Sequence, residues 1–473
     1  MRATTPEDPR LPDDDRAAGV AASPVAPRRR VWPLVAGGLG VGLVLGGCTG
    51  LGVGLVVGGS AGAGLAAELR GTAGAPTEEG AAGAGAGGRT VAEALPDELP
   101  RLRELVARER GVAWREEVPV EALDDAAFAA ALEGTDAGGE GADADGGTGG
   151  ELVDGPPGLD DPGGGRAEAY AALGLTPSAA AFRAAAEAGD ADVVGFYDGT
   201  DGSVLLRGQE WTPLVERVLV HELTHALDDQ QVDLDARLDA PRTPEQWTAE
   251  VAVVEGSAER VAWAWYDALD ADGRAAYDAA LEADAAQAPP DDGARDPLAD
   301  ALAFFPYDYG YLPVEAVAEE GPEAVDALLA APLTTTEQVL AAVPDPGAAT
   351  GLEPAAAVEA PPVPDGAEAL GTGGLGLLGL TLLPLVGTGE EGGYAFDPAD
   401  VVTDAWTGDA WTAWTDPDDP ARVCVAVRVL LDEAAGRDAL LAGLGPWADA
   451  RAGQGEVVAS GERGLELSGC GDA

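Results

Sequence analysis

His221-Glu222-Leu223-Thr224-His225 contains the only two histidines of a 473-residue chain. They stand four apart with a glutamate directly after the first. On a helix, positions four apart share a face, so both imidazoles can reach one metal ion. The glutamate then points toward the same site and can act as a base on metal-bound water. Thr212-Pro213 lies just upstream. Threonine as N-cap and proline at the first helical position predict a helix from Pro213 to about Gln230. Before it, Val193–Asp198 and Val204–Arg207 are rich in β-formers and flank Gly199-Thr200-Asp201-Gly202, which predicts a hairpin.

Two histidines do not complete a catalytic zinc site, which takes three protein ligands. With no third histidine, a carboxylate is required. A further helix is expected over Gln246 to about Leu269, and it carries Glu250, Glu255 and Glu259. Glu255 is the first choice of ligand, with Glu259 and Glu250 as alternatives. Gly256 lets two helix backbones approach closely. Glu259, on the same face as Glu255, suits the orientation of a histidine Nδ1–H.

Composition narrows the function classes. Acidic residues number 84 against 27 basic ones, a net charge of −57, and every basic side chain is arginine. No basic patch is present to release counterions, so nucleic acid is excluded as a partner. Cysteines are three, Cys48, Cys424 and Cys470, with no CxxC pair, which disfavours a thiolate zinc site.

Residues 1–30 read as a disordered cytoplasmic N-terminus. No charged residue occurs from Val31 to Ala67, a length sufficient to span a bilayer. Arg28-Arg29-Arg30 on one flank keeps the N-terminus inside and the rest of the chain outside. Leu45-Gly46-Gly47-Cys48 offers a second reading, a lipoprotein signal lipidated at Cys48. Either way the expectation is a chain held at the cell membrane, single-pass or by lipid, with residues from about 70 outside the cytoplasm. A linker over 68–89 leads to a main domain over 90–395, interrupted by a Gly/Asp insertion at 134–165. Residues 396–473 form a small C-terminal unit: a strand over Val423–Leu431, a helix to about Leu444, and two strands over Glu456–Cys470. In an oxidising exterior Cys424 and Cys470 can pair, or both remain free thiols.

With these residues in view, the chain resembles the gluzincin metallopeptidases of the thermolysin-like clan, and within it a group of predicted bacterial and archaeal peptidases. The matching stretches are Gly195–Asp198, His221–Leu234, Val254–Ala258, Pro306–Gly310 and Thr335–Gln338, with Trp406–Trp411 weaker. The resemblance implies an α+β fold, mainly helical and zincin-like, with a small sheet beside the HExxH helix and a C-terminal βαββ-like unit. It implies Zn2+ held by His221, His225 and Glu255, Glu222 as the base, and a peptide or protein substrate. Better-known members stabilise the oxyanion with a histidine or tyrosine. No histidine is left here, so Tyr307, in an aromatic loop with Tyr309 and Tyr311, is the first candidate. The rival expectation is a catalytically silent metal-binding domain that holds peptides or cell-envelope polymers; retention of Glu222 argues against it. Asp228, Asp229 and Asp233, just past the motif, are expected either to bond a ligand histidine or to form a solvated helix end. Trp263, Trp265 and Tyr266 are expected in the core, and Leu375–Val386 as a buried helix.

Overall fold

The computed structural model describes strands Val41–Gly46 and Gly52–Val57 and, apart from 137–163, 189–192, 209, 235–236, 238–242, 286–295, 343–345, 386–404 and 452, residues 88–472. The fold is mixed α+β, with two five-stranded sheets among the described residues.

The motif helix runs Pro213–Val232. Thr212 caps it by accepting from the Val215 N–H, and Pro213 opens it as the sequence predicts. The chain leaves through Asp233, whose φ of 56° is the left-handed turn that ends the helix. The second helix, here the glutamate helix, spans Pro244–Ala268, and Thr243 and Gln246 cap it reciprocally.

The first sheet has the order β1-β2-β4-β5-β3. β1 (Val41–Gly46) and β2 (Gly52–Val57) are antiparallel, and β2 continues onto β4. β3 is Val120–Leu123, β4 is Val193–Asp198 and β5 is Ser203–Arg207. The predicted hairpin is β4–β5, in register Gly195↔Leu206 to Asp198↔Ser203, and Gly202 supplies the positive φ of its turn. β3 pairs parallel to β5. β5 is therefore bonded on both sides and has no free edge for an extended peptide. Of the segment 31–67 only β1 and β2 are described, and they are strands; among the described residues no helix is long and apolar enough to cross a membrane. The interspersed glycines weaken helix propensity, and the valines between them favour a strand. The remainder of that segment, Cys48, residues 1–30, most of the 68–89 linker and most of the 134–165 insertion lie outside the described residues.

Tyr307, Tyr309 and Tyr311 are not in a loop. They lie on a helix, Pro297–Ala318, that contains Pro306 and Pro313. Asp296 caps it, accepting from Leu298 N and Ala299 N. Packing overrides the local proline signal: this tyrosine helix crosses the glutamate helix backbone to backbone. A Cβ on Gly256 would come within 2.0 Å of the Gly310 carbonyl oxygen, and one on Gly310 within 1.9 Å of the Ala252 oxygen. Gly256 thus permits the close approach expected of it, with the tyrosine helix as the partner. Gly310→Ala must force the helices apart. A loss of about 3 kcal/mol or more in unfolding free energy is expected, read as a lowered denaturation midpoint; an unchanged midpoint would contradict the crossing.

The second sheet, order β6-β7-β8-β10-β9, comprises β6 (Glu368–Gly373), β7 (Trp406–Asp416), β8 (Asp419–Leu431), β9 (Gly455–Ser460) and β10 (Gly464–Asp472). The predicted strands and the helix, here Ala434–Gly443, are present. β6 draws the sheet upstream of the predicted boundary at 396. Cys424 and Cys470 face one another across β8 and β10 and form a disulfide. Glycines of β10 let the sheet rest on the helix Arg166–Leu173: Cβ atoms at Gly469 and Gly471 would meet the Ala172 and Ala171 carbonyls. Trp447 and Arg451 bond the carbonyls of Leu173 and Ala172 at that junction. The buried helix expected at Leu375–Val386 is present as Gly376–Leu382 followed by a short 3-10 turn.

Candidate metal centre

The site forms where the motif helix, the glutamate helix, the tyrosine helix and β4 meet. His221, Glu222 and Glu255 are each 0% exposed and His225 1%. His221 Nε2 lies 3.1 Å from Glu255 Oε2 and 3.0 Å from His225 Nε2, and His225 Nε2 lies 3.4 Å from the same Glu255 oxygen. Zinc–nitrogen and zinc–oxygen bonds of about 2.0–2.2 Å separate neighbouring tetrahedral ligands by roughly 3.3–3.5 Å. One of the three separations falls in that range and the other two are 0.2–0.3 Å shorter, so the three atoms are close enough together to share one cation after a small spreading. Glu255 Oε1 has no hydrogen-bond partner, although it is buried, as expected of a group awaiting a cation. The residues fit a divalent metal, and among the described residues this is the one group of its kind.

The sequence alternatives for the third ligand serve elsewhere. Glu250 holds Arg237 at 3.1 Å. Glu259 is placed for the orienting role: its Oε1 is 3.1 Å from His221 Nδ1, close enough to pair though not in ordinary hydrogen-bond geometry, and its Oε2 accepts from Arg217 at 2.6 Å. Arg217 was missed by sequence reading, yet it stands four before His221 on the same helical face, which is the available signal. Its guanidinium also lies over Trp263, which is 43% exposed, a correction to the expected core position. Trp265 is buried as expected.

Glu222 stands beside this cluster. Its Oε2 accepts from the backbone N–H of Tyr197 in β4 at 3.0 Å, and its Oε1 has no partner. The Tyr307 ring stacks on His221, with centroids 6.1 Å apart, and its buried hydroxyl makes no hydrogen bond of ordinary geometry. Tyr309 and Tyr311 are only partly buried. None of the three aspartates after the motif bonds a ligand histidine, and only Asp233, exposed at the C-cap, forms the solvated end that the sequence offered. Asp228 accepts from Ser257 and Arg110, and Asp229 accepts from the Tyr197 hydroxyl. Asp233 closes the helix.

The protein groups of the site shift one another's protonation strongly. Burial opposes charge on His221, but hydrogen bonds to Glu255 and Glu259 outweigh it and raise its pKa to about 10. Burial would raise Glu255, yet the charge of His225 and the bond from His221 bring it down to about 2. Burial holds Glu222 well above the usual carboxylate range, with His221 opposing and Glu255 reinforcing. Burial, then Glu255 and Glu222, hold the Tyr307 phenol well above its ordinary value. A metal must therefore displace the His221 proton. Below the raised pKa the proton competes, so zinc affinity should climb about tenfold per pH unit through the neutral range. Chelator-competition titrations between pH 6 and 8 read this; a flat profile would contradict it.

No family model matches the chain, no curated protein matches it, and no solved structure matches it.

Proposed function

We propose that this chain is a zinc-dependent metallopeptidase of the gluzincin type, with a zincin-like arrangement of helix pair and sheet, hydrolysing peptide or protein substrates. The observation that carries the reading is the convergence, in one buried site, of His221, His225 and Glu255 with a glutamate that is not part of the metal shell. A purely structural site has no use for that fourth group.

His221, His225 and Glu255 would hold the metal, with Glu259 and Arg217 fixing His221. Bound zinc supplies a positive centre that polarises a carbonyl and acidifies water. Glu222 is held at Oε2 by the Tyr197 N–H, which leaves Oε1 unpartnered. That oxygen takes the proton from the attacking water and passes it to the leaving amine. Tyr307 keeps its proton and can donate it, as a hydrogen bond, to the oxygen that gains charge. The Cys424–Cys470 disulfide supports a location outside the cytoplasm, in keeping with a chain tethered at its N-terminal side.

One observation favours the rival reading, a catalytically silent metal-binding domain. The ligands and Glu222 are at most 1% exposed, so a substrate requires the site to open. A cleavage assay on denatured casein separates the two. Hydrolysis that a chelator abolishes and added zinc restores supports the peptidase; zinc binding without hydrolysis supports the silent domain.

A further inference from the structure

We propose that the consecutive aspartates Asp228 and Asp229 position the two halves of the site separately. Asp228, through Ser257, sets the third metal ligand; Asp229, through Tyr197, sets the base. The first half needs only a metal site, and the second rests on the peptidase reading above.

Asp228 lies three residues past His225, and Ser257 two residues past Glu255. Both are 0% exposed. The Ser257 hydroxyl donates to Asp228 Oδ2 at 2.6 Å, while Arg110 Nε donates to Asp228 Oδ1 at 2.6 Å. Arg110, 2% exposed, also holds Asp326 Oδ1 at 2.8 Å. Each oxygen of Asp228 is thus used, one for charge balance and one for the other metal-binding helix. Sliding or turning the glutamate helix enough to withdraw Glu255 would break a buried hydrogen bond to a charged acceptor, the strong kind. Ser257 is a side-chain link between the helices carrying the histidines and the third ligand, beside Arg217–Glu259 and Trp265–Glu216, and of these the one nearest Glu255 in sequence.

Asp229 is one residue further, about 100° around the helix. It faces β4. Its Oδ2 accepts from the Tyr197 hydroxyl at 2.8 Å, and its Oδ1 accepts from Leu234 N at 2.7 Å. Tyr197 also gives its backbone N–H to Glu222. Glu222 and Asp229 are seven apart, two turns along one face. Tyr197 therefore fastens β4 to the motif helix at two points, and the outer one fixes the register that gives Glu222 its hydrogen bond. Neither aspartate touches the metal or the reacting atoms; both are positioning residues.

The test uses the full-length chain with Ser257→Ala and Tyr197→Phe, each removing one oxygen from a buried contact. Zinc affinity is measured by chelator competition, ligand geometry by the visible absorption of the cobalt-loaded protein, and kcat and KM on one peptide. Ser257→Ala should bind zinc about 10–100-fold more weakly and shift the cobalt band, with Ser257→Thr restoring both. Tyr197→Phe should keep wild-type zinc affinity and cobalt band, and lose about tenfold in kcat with KM held. Wild-type affinity and spectrum in Ser257→Ala overturn the first half. Unchanged kcat in Tyr197→Phe, or zinc loss there equal to that of Ser257→Ala, overturns the separation. A zinc-loaded wild type that cleaves nothing overturns the peptidase reading and the Asp229 half with it, and the metal data still decide the Asp228 half.

Discussion

Glu222→Gln is expected to retain a full complement of zinc and to lower kcat by about 10²–10⁴-fold, the range that general-base catalysis contributes. The change keeps the size of the side chain and an oxygen able to accept from the Tyr197 N–H. It removes the one function the amide lacks, taking a proton. Metal content should not fall, because in the proposed centre His221, His225 and Glu255 would provide the shell and Glu222 would stand outside it. Burial holds the Glu222 carboxyl well above its usual pKa and so favours its neutral form, which the amide matches in size and charge, so the variant should be no less stable than wild type. Turnover measured together with zinc content checks both halves. Wild-type cleavage by Glu222→Gln would remove the base from the mechanism.

Glu255→Ala should have the largest effect on the metal. It deletes one of three ligands, so zinc affinity should fall by more than the 10–100-fold typical of losing an outer supporting group. Glu259→Gln belongs to that smaller range, since Glu259 acts on His221 Nδ1 and Arg217 rather than on the metal. Glu250→Gln should leave affinity unchanged, because Glu250 faces Arg237. The ordering of these three variants in one chelator-competition series tests the ligand assignment. Equal affinity in Glu255→Ala and wild type would move the third ligand to Glu259 or Glu250.

The central helices were legible because their signals are local. Thr212-Pro213 and the HExxH spacing mark the motif helix, and the Glu255-Gly256 pair marks the next. The hairpin was legible because its β-rich runs bracket a Gly-marked turn. That a carboxylate must join the two histidines was legible by elimination, whereas the choice among Glu250, Glu255 and Glu259 was left open until the fold brought Glu255 beside both imidazoles.

What escaped depended on contacts distant in sequence. Pro306, Gly310 and Pro313 read locally as a loop; they are helical because Gly310 seats its backbone on Ala252 of the glutamate helix. Val120–Leu123 is a strand only because β5 offers it a parallel partner. β7 carries Trp406, Trp411 and Trp414 with several threonines, a β-propensity signal that could have placed it, whereas glycine-rich β6 has no such signal and depends on pairing with β7. In the site, Tyr197 holds the base through its backbone N–H, a group every residue but proline possesses, so no side-chain pattern points to it. Asp228 and Asp229 read as one acidic helix end; their different partners appear only when three other elements are in place.

Metal stoichiometry tests the centre most directly. Full-length protein, purified folded and with its Cys424–Cys470 disulfide closed, is titrated with zinc while bound metal is counted. One zinc per chain, removable by chelator and lost in Glu255→Ala, is expected. A folded, metal-free chain that takes up no zinc at any pH between 6 and 8 would contradict it.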